Sequence, residues 1–425
     1  MFPNNRIVKN AGWLIGGKIA QMILNLVVGL LTARHLGPSN YGIINYANAY
    51  IAFFSSLCTL GINNILVKEL IDNPKREGEI LGSSILLRLV SSLFSVLTIL
   101  GIVSIADRND PGTILVVSLC SISVLFQVFD VFNYWFQSRL HSKISAAASL
   151  TAYTITAAYK VYLVVTGKPV AYFALSTSVD VFCLALILYL CYRKYGGQRL
   201  TASFSVAKQL LSRSCHFILP GLMVAVYGQT DKMMLKQMIS DAEIGYYATA
   251  STICGMWCFV LSAVIDSVYP SIMQSNKNGN EKEFERLNKT LYAIIFYASA
   301  FVSLLFTVLA EPVVRILYGE AYLPAVTPLR IITWYTAFSY LGVARNAWIV
   351  GKNKQKYLIW IYLSAALSNI VMNLLLIPVW GASGAALASL ATQFITVLVV
   401  PFLIKPLRRN SLLMLEAILL KGLKY

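Results

Sequence analysis

Charge is what this sequence has least of. Asp, Glu, Lys and Arg make up 12% of its 425 residues, about half the share in soluble globular domains. Hydrophobic residues reach 57% and mean hydropathy is +0.67. Length alone admits two or three soluble domains, but the chain lacks any long polar block in which one could fold. Disulfide frameworks are also missing. The seven cysteines, Cys58, Cys120, Cys183, Cys191, Cys215, Cys254 and Cys258, all fall in or at the ends of apolar runs, away from exposed loops where bridges would form. Cys254 and Cys258 share a helix face but have no further metal-ligand types beside them, so they read as packing residues. The polar N-terminus is short, and the first apolar run has no small-residue cleavage site, so it is expected to be retained as a helix.

What the sequence has in excess is runs of about 20 apolar residues, the length that crosses a bilayer. Twelve are found, at 13–33, 43–67, 80–104, 114–136, 146–165, 170–192, 215–235, 246–272, 291–309, 326–350, 357–377 and 384–404. They predict an all-α integral membrane protein organised as an N-terminal lobe (1–192), a basic cytoplasmic connector (193–213), a C-terminal lobe (214–404) and a basic tail (405–425). The leucines of the tail, between basic flanks, predict an interfacial helix too short to span.

The formal charge of +17 would suggest nucleic acid in a soluble chain. Here no basic stripe with interleaved aromatics lies outside the spans, and nucleic acid is not an expected partner. Cytoplasmic loops gather Lys and Arg. Lysines and arginines number 24 on the side of the two termini and four, Arg34, Arg108, Lys168 and Arg315, on the other. Both termini are therefore expected in the cytoplasm.

Two outer turns correspond at a distance of 203 residues, Leu36 to Ile44 and Ile239 to Tyr247, pairing Gly42 with Gly245. With equal span counts on either side of the connector, this suggests two six-helix lobes, an organisation common among secondary transporters.

Seven cations lie within or at the ends of the spans, Lys18, Arg88, Lys160, Lys232, Lys236, Arg330 and Arg345, against four acids, Asp130, Asp180, Asp231 and Asp266. A charge facing lipid costs at least about 3 kcal/mol, so these side chains are expected to point into the bundle or a cavity, apart from those near helix ends that snorkel. Lys18, Arg88 and Arg345 lie toward the cytoplasmic ends of their runs; Lys160, Lys232, Lys236 and Arg330 lie toward the outer ends. Asn25 continues the Lys18 face, and Asn45 and Asn48 share a polar stripe on the second helix. The substrate-binding candidates are thus Lys18, Arg88, Asn25, Asn45, Asn48, Lys160, Lys232, Arg330 and Arg345, and the coupling candidates are Asp180, Asp130 and Asp266. Pro220-Gly221 permits a bend in the seventh helix. Gly12 to Lys18 has the spacing of a phosphate-binding loop, but Ile19 follows where Ser or Thr is needed and no strand precedes, so no bound nucleotide or other cofactor is expected.

Several segments resemble the polysaccharide and O-antigen flippase family of the multidrug/oligosaccharidyl-lipid/polysaccharide exporter superfamily. They are Asn10, Lys18 to Ala20, Arg34-His35-Leu36-Gly37-Pro38 with Tyr41-Gly42, Tyr134-Trp135-Phe136-Gln137, Gly351-Lys352-Asn353-Lys354, and Gly381 to Ala386. Ser138 stands where that family often has Gly. The resemblance implies a V-shaped pair of lobes, alternating access, and movement of an undecaprenyl-pyrophosphate-linked oligosaccharide, an O-antigen or capsule repeat unit, from the cytoplasmic to the periplasmic leaflet of a bacterial inner membrane. Its expected partners are that lipid-linked oligosaccharide, membrane lipids, and a polymerase and chain-length regulator of the same pathway. The alternative within the fold is a cation-coupled drug or small-molecule antiporter, which wants buried carboxylates, whereas this interior is net cationic. An enzyme is not expected. The first outer loop (34–42) has no acid, and the longest (311–325) is too short for a catalytic domain.

Overall fold

The computed structural model describes residues 5–421, with side chains from residue 16 onward except those of Lys18 and Ile19. All of its regular elements are helical. In order they are α1 (Asn5–Cys58), α2 (Asn63–Asp72), α3 (Glu77–Ala106), α4 (Pro111–Phe126), α5 (Val131–Ser138), α6 (Ser142–Val165), α7 (Val170–Lys194), α8 (Phe204–Met238), α9 (Asp241–Gly255), α10 (Cys258–Lys277), α11 (Glu281–Tyr318), α12 (Val326–Gly351), α13 (Leu358–Phe394), α14 (Val400–Leu403) and α15 (Arg408–Ile418).

Seven stretches among the described residues are long and apolar enough to cross a membrane, and α9 with α10, bent by 41°, makes an eighth. Two of the seven are double. Gly37 breaks α1 and Gly381 breaks α13, each with positive φ, so each continuous stretch is two spans. The helices α6 and α12, of 24 and 26 residues, have the length to cross but more polar faces. Together these account for the twelve expected spans. The 203-residue correspondence sets Gly37 against Ser240, and both are non-helical residues at the C-terminal end of the first long helix of their half. Gly381 sits at φ +52, and a Cβ there would lie 2.4 Å from Glu243 Oε2. The same carboxylate accepts from Ala382 N, satisfying a donor at the start of the second half of α13.

The chain forms two compact units, residues 1–225 and 226–425. In the first, Phe132, Trp135, Phe136 and Tyr192 pack with Leu66, Leu70, Val206 and Leu210. The basic connector is shorter than the apolar runs indicate, because α7 continues to Lys194 and α8 begins at Phe204. Helix geometry carries the chain past the bilayer once internal hydrogen bonds are made, and Val206, Ala207 and Leu210 give the extension an apolar face to bury. What remains, residues 195–203, is pressed onto α3. Thr201 N donates to Gly78 O at 3.3 Å, Gly78 N to Gln198 Oε1 at 3.2 Å and Ser203 N to Ser83 Oγ at 3.0 Å. Glycines at 78 and 82 make the approach possible, since a Cβ would stand 2.3 Å from Arg199 O and 2.2 Å from Thr201 O.

The second unit has its core among α10, α11, α12 and α13. The tail is part of it: Leu407, Leu413, Met414 and Ala417 are buried there. The segment 311–325, read as a loop, is largely helix, since α11 runs to Tyr318.

Candidate functional site

Arg88 lies on α3 in the first unit with only 2% of its surface exposed. Its Nη2 donates to Asn63 Oδ1 at the start of α2, while its Nε has no partner among the described residues. It lines a cavity of about 350 Å³ with Ser55, Thr59, Gln127 and Asp130. That cavity exists because the helix through 111–138 is interrupted by a 3-10 turn at Gln127–Asp130, which sets Gln127 to accept from Ser55 Oγ at 2.7 Å. Asp130 is also held by Asn133. The structure therefore brings together one substrate candidate and one coupling candidate, and the formal charge of the pair cancels.

Arg345 on α12 is a buried guanidinium of the second unit. Its Nη1 donates to Thr396 O at 3.1 Å and its Nε has no partner among the described residues. The local backbone explains the anchor. Residues Ile395–Val399 form a π-turn in which Val400 N reaches back to Ile395 O, and the next residue, Pro401, has no N–H. The carbonyl of Thr396 is thereby left open, and a buried carbonyl needs a donor. Arg345 supplies it. The surrounding cavity, about 100 Å³, is lined among others by Tyr227, Ser339, Asn346, Tyr362 and Gln393, with no acid among its lining residues.

A third cavity, about 210 Å³, lies in the second unit around Asp231 and Lys232. Asp231 is buried. Its Oδ1 accepts from Asn369 at 2.9 Å and Asn373 at 2.6 Å; its Oδ2 accepts from Tyr247 and Ser389. Four donors satisfy both oxygens of a buried carboxylate, which would otherwise be costly to desolvate. The sequence marks Asp231 as an intramembrane acid but not as a coupling candidate, because the donors on α13 are 138 to 158 residues away. The pairing of Asn369 with Asn373 on one helix face at i, i+4 is the signal that was available. Among the described residues no group of three His, Cys, Asp or Glu could hold a metal ion. One carboxylate falls short of the set of oxygen ligands that a divalent cation takes.

Other candidates are dispersed. Asp180 on α7 accepts from Thr156 Oγ1 at 3.1 Å, and Lys160 on α6 is near enough to act on it electrostatically. Asn45 donates to Tyr41 O of its own helix at 2.9 Å, and Asn48 is half-buried. Asn25 and Asp266 are exposed. Arg330 is exposed as well and donates through Nε to Thr307 O at 3.1 Å, outside the three cavities. The Lys18 side chain lies outside the described residues.

Three buried acids, Glu69, Glu77 and Asp107, were not singled out from the sequence. Glu77 accepts from Trp135 Nε1 at 2.9 Å and from Arg139 Nη2 at 2.7 Å, with the guanidinium 4.6 Å from the Trp135 ring centre. This gives the Tyr134-Trp135-Phe136-Gln137 segment a structural task, tying α5 to the start of α3 beside the connector.

Comparison with known proteins agrees with this architecture. The family described as "Polysaccharide biosynthesis protein" matches residues 7–276. The capsular polysaccharide biosynthesis protein CapF of Staphylococcus aureus is 20% identical over 396 residues, covering 92% of this chain and 98% of its own. The lipid II flippase MurJ of Bacillus subtilis is 23% identical over 247 residues, 52% of this chain and 45% of its own. Among solved structures, the inward-facing form of a multidrug resistance MATE family transporter of the MOP superfamily superposes with a TM-score of 0.68 at 14% identity, covering 92% of this chain and 96% of that one. The last likeness shows the fold.

Proposed function

Because the chain belongs to the polysaccharide biosynthesis protein family, we propose that it is a flippase for an undecaprenyl-pyrophosphate-linked oligosaccharide, the repeat unit of an O-antigen or capsule. It carries this substrate from the cytoplasmic to the periplasmic leaflet of a bacterial inner membrane, with both termini cytoplasmic. A polymerase and a chain-length regulator act on the delivered unit.

The observation that carries the reading is Arg345. A guanidinium buried in a membrane-spanning bundle is expensive unless paired, and no acid lines its cavity. A carbonyl takes one donor and leaves the full charge uncompensated. A phosphate oxygen from the substrate head group supplies both the counter-charge and an acceptor, and such bonds strengthen where water is excluded. Arg88 offers a second guanidinium in the other unit. There the phosphate must compete with Asp130, which lines the same cavity, so Arg88 holds the head group less tightly and can release it.

Charge reversal at Arg345 or Arg88 is expected to abolish surface polysaccharide at unchanged protein level. Arg345→Lys keeps the charge but not the fork of donors, and should leave partial activity. Full surface polysaccharide from an Arg88→Glu, Arg345→Glu double variant would return both residues to structural roles. The second reading, a cation-coupled antiporter of the same fold, draws on Asp231. It predicts efflux of a small cation by the purified chain and no change in polysaccharide on deletion.

A further inference from the structure

The tail helix α15 has two faces with different surroundings. One packs on α11 and is fixed in rotation by polar contacts along its length. Arg409 pairs with Glu285 at 2.5 Å, Lys289 with Glu416 at 2.8 Å, Asn410 donates to Tyr292 OH at 2.6 Å, and Tyr297 OH donates to Ile418 O at 2.8 Å. The opposite face carries Leu412, Leu415 and Leu419 at i, i+3 and i+7, the last 61% exposed, with Leu420 beside them and Leu403 just before the helix, 70% exposed.

Those leucines adjoin a surface whose environment is known from the fold. Along α11, Ile294, Tyr297, Phe301, Leu304, Leu305 and Val308 form an exposed stripe at helical spacing. In a 38-residue membrane-crossing helix such a stripe faces acyl chains. The contact between Tyr297 and Ile418 joins the C-terminal end of α15 to the first turn of that stripe, so Leu415 and Leu419 sit at the edge of the hydrocarbon layer.

The charges around the leucines are of one sign. Lys405 and Arg408 are exposed at the N-terminal end and Lys421 at the C-terminal end. Arg408 is held at the apolar boundary by Phe402, through the ring, 5.1 Å from the guanidinium carbon, and through its carbonyl at 3.2 Å. The one acid of the helix, Glu416, is taken up by Lys289 and Arg409, which hold its carboxyl below the usual range. Among the described residues of this face, no unpaired carboxylate opposes an anionic ligand.

We propose that the exposed face of α15 is a binding surface for anionic glycerophospholipid, the leucines entering the acyl region while Lys405, Arg408 and Lys421 bind head-group phosphates. Lipid is the occupant because the apolar face continues the lipid-facing stripe of α11, and the anionic class follows from the flanking cations. The helix thereby ties the second unit to the charge of the leaflet in which it lies.

The test uses the full chain purified in neutral detergent. Apparent melting temperature is followed while phosphatidylglycerol, phosphatidylcholine or soluble glycerophosphate is added, and bound lipids are counted by native mass spectrometry. The wild type should show a shift with phosphatidylglycerol beyond that with phosphatidylcholine, weakened by salt, and none with glycerophosphate. Lys405→Gln, Arg408→Gln and Lys421→Gln combined should weaken the phosphatidylglycerol-specific response roughly a hundredfold in apparent affinity, at about fivefold per cation. The phosphatidylcholine response and the lipid-free melting temperature should stay unchanged. Leu415→Asn with Leu419→Asn should weaken both lipid responses. The proposal is overturned if the wild type does not distinguish the two lipids, if the triple variant retains the full specific response, or if glycerophosphate alone reproduces it.

Discussion

Substituting Gly82 by Ala adds one methyl group to α3, and its consequence can be worked from the packing of the connector. The new Cβ would lie 2.2 Å from Thr201 O and 2.8 Å from Thr201 C. Carbon–carbon contacts are favourable near 3.5–4.0 Å, so the connector segment must withdraw by roughly 1 Å or more. Its backbone is what collides, so no side-chain rotation relieves the clash. Withdrawal sacrifices the bond from Thr201 N to Gly78 O and the two between Ser203 and Ser83. At about 0.5–1.5 kcal/mol net for each bond, the connector loses about 2–4 kcal/mol of local stability. Limited trypsin digestion at Arg199 reads this directly, because cleavage follows the population of the opened segment; cutting should accelerate roughly 30- to 1000-fold. Gly101 supplies the control within the same helix, with nothing within 4 Å of a Cβ placed there, and Gly101→Ala should leave the rate unchanged. Equal cleavage of the two variants would refute the view that glycines 78 and 82 hold the connector.

Asp231→Ala removes the acceptor of four donors; Tyr247 with Ser389 and Asn373 with Asn369 already pair, so one donor in each pair is satisfied by the other residue, the remaining donor of each pair loses about 1–3 kcal/mol, and the melting temperature should fall by several degrees. Asp231→Asn keeps the shape and should keep most of the stability while losing transport, and wild-type transport by that variant would remove Asp231 from coupling. For orientation, reporters fused after Asn278 and Lys354 should read as cytoplasmic and those at Ala242 and Ser383 as periplasmic; a periplasmic signal at Lys354 would break the assignment.

The spans were legible because the bilayer imposes a length and a polarity that a single sequence displays. The twelve runs were found even where Gly37 and Gly381 join two of them into one continuous helical stretch. Helix ends outside the bilayer were less legible. The extension of α8 back to Phe204 rests on burial of Val206 and Leu210 against residues more than 100 positions away. The tail reads as amphipathic in the sequence, yet only the packing on α11 tells which face is covered. The site divides in the same way. That Arg88, Arg345 and Asp231 lie within spans follows from position alone. Their partners do not, because Thr396 is opened to Arg345 by a π-turn beside Pro401, and Asp231 is satisfied by a helix at the far end of the chain. Arg330 and Asp266 are charged residues of the same runs that the fold leaves exposed, and helical position alone could not separate them from the buried set.

The central claim is tested most directly by the leaflet distribution of the lipid-linked oligosaccharide in cells depleted of this chain. If the chain is the flippase, the unpolymerised intermediate accumulates in the cytoplasmic leaflet, and the wild type restores its appearance in the periplasmic leaflet while Arg345→Glu, made at the same level, does not. An intermediate that reaches the periplasmic leaflet at an undiminished rate after depletion, in a strain with no second protein of this family, would contradict the account.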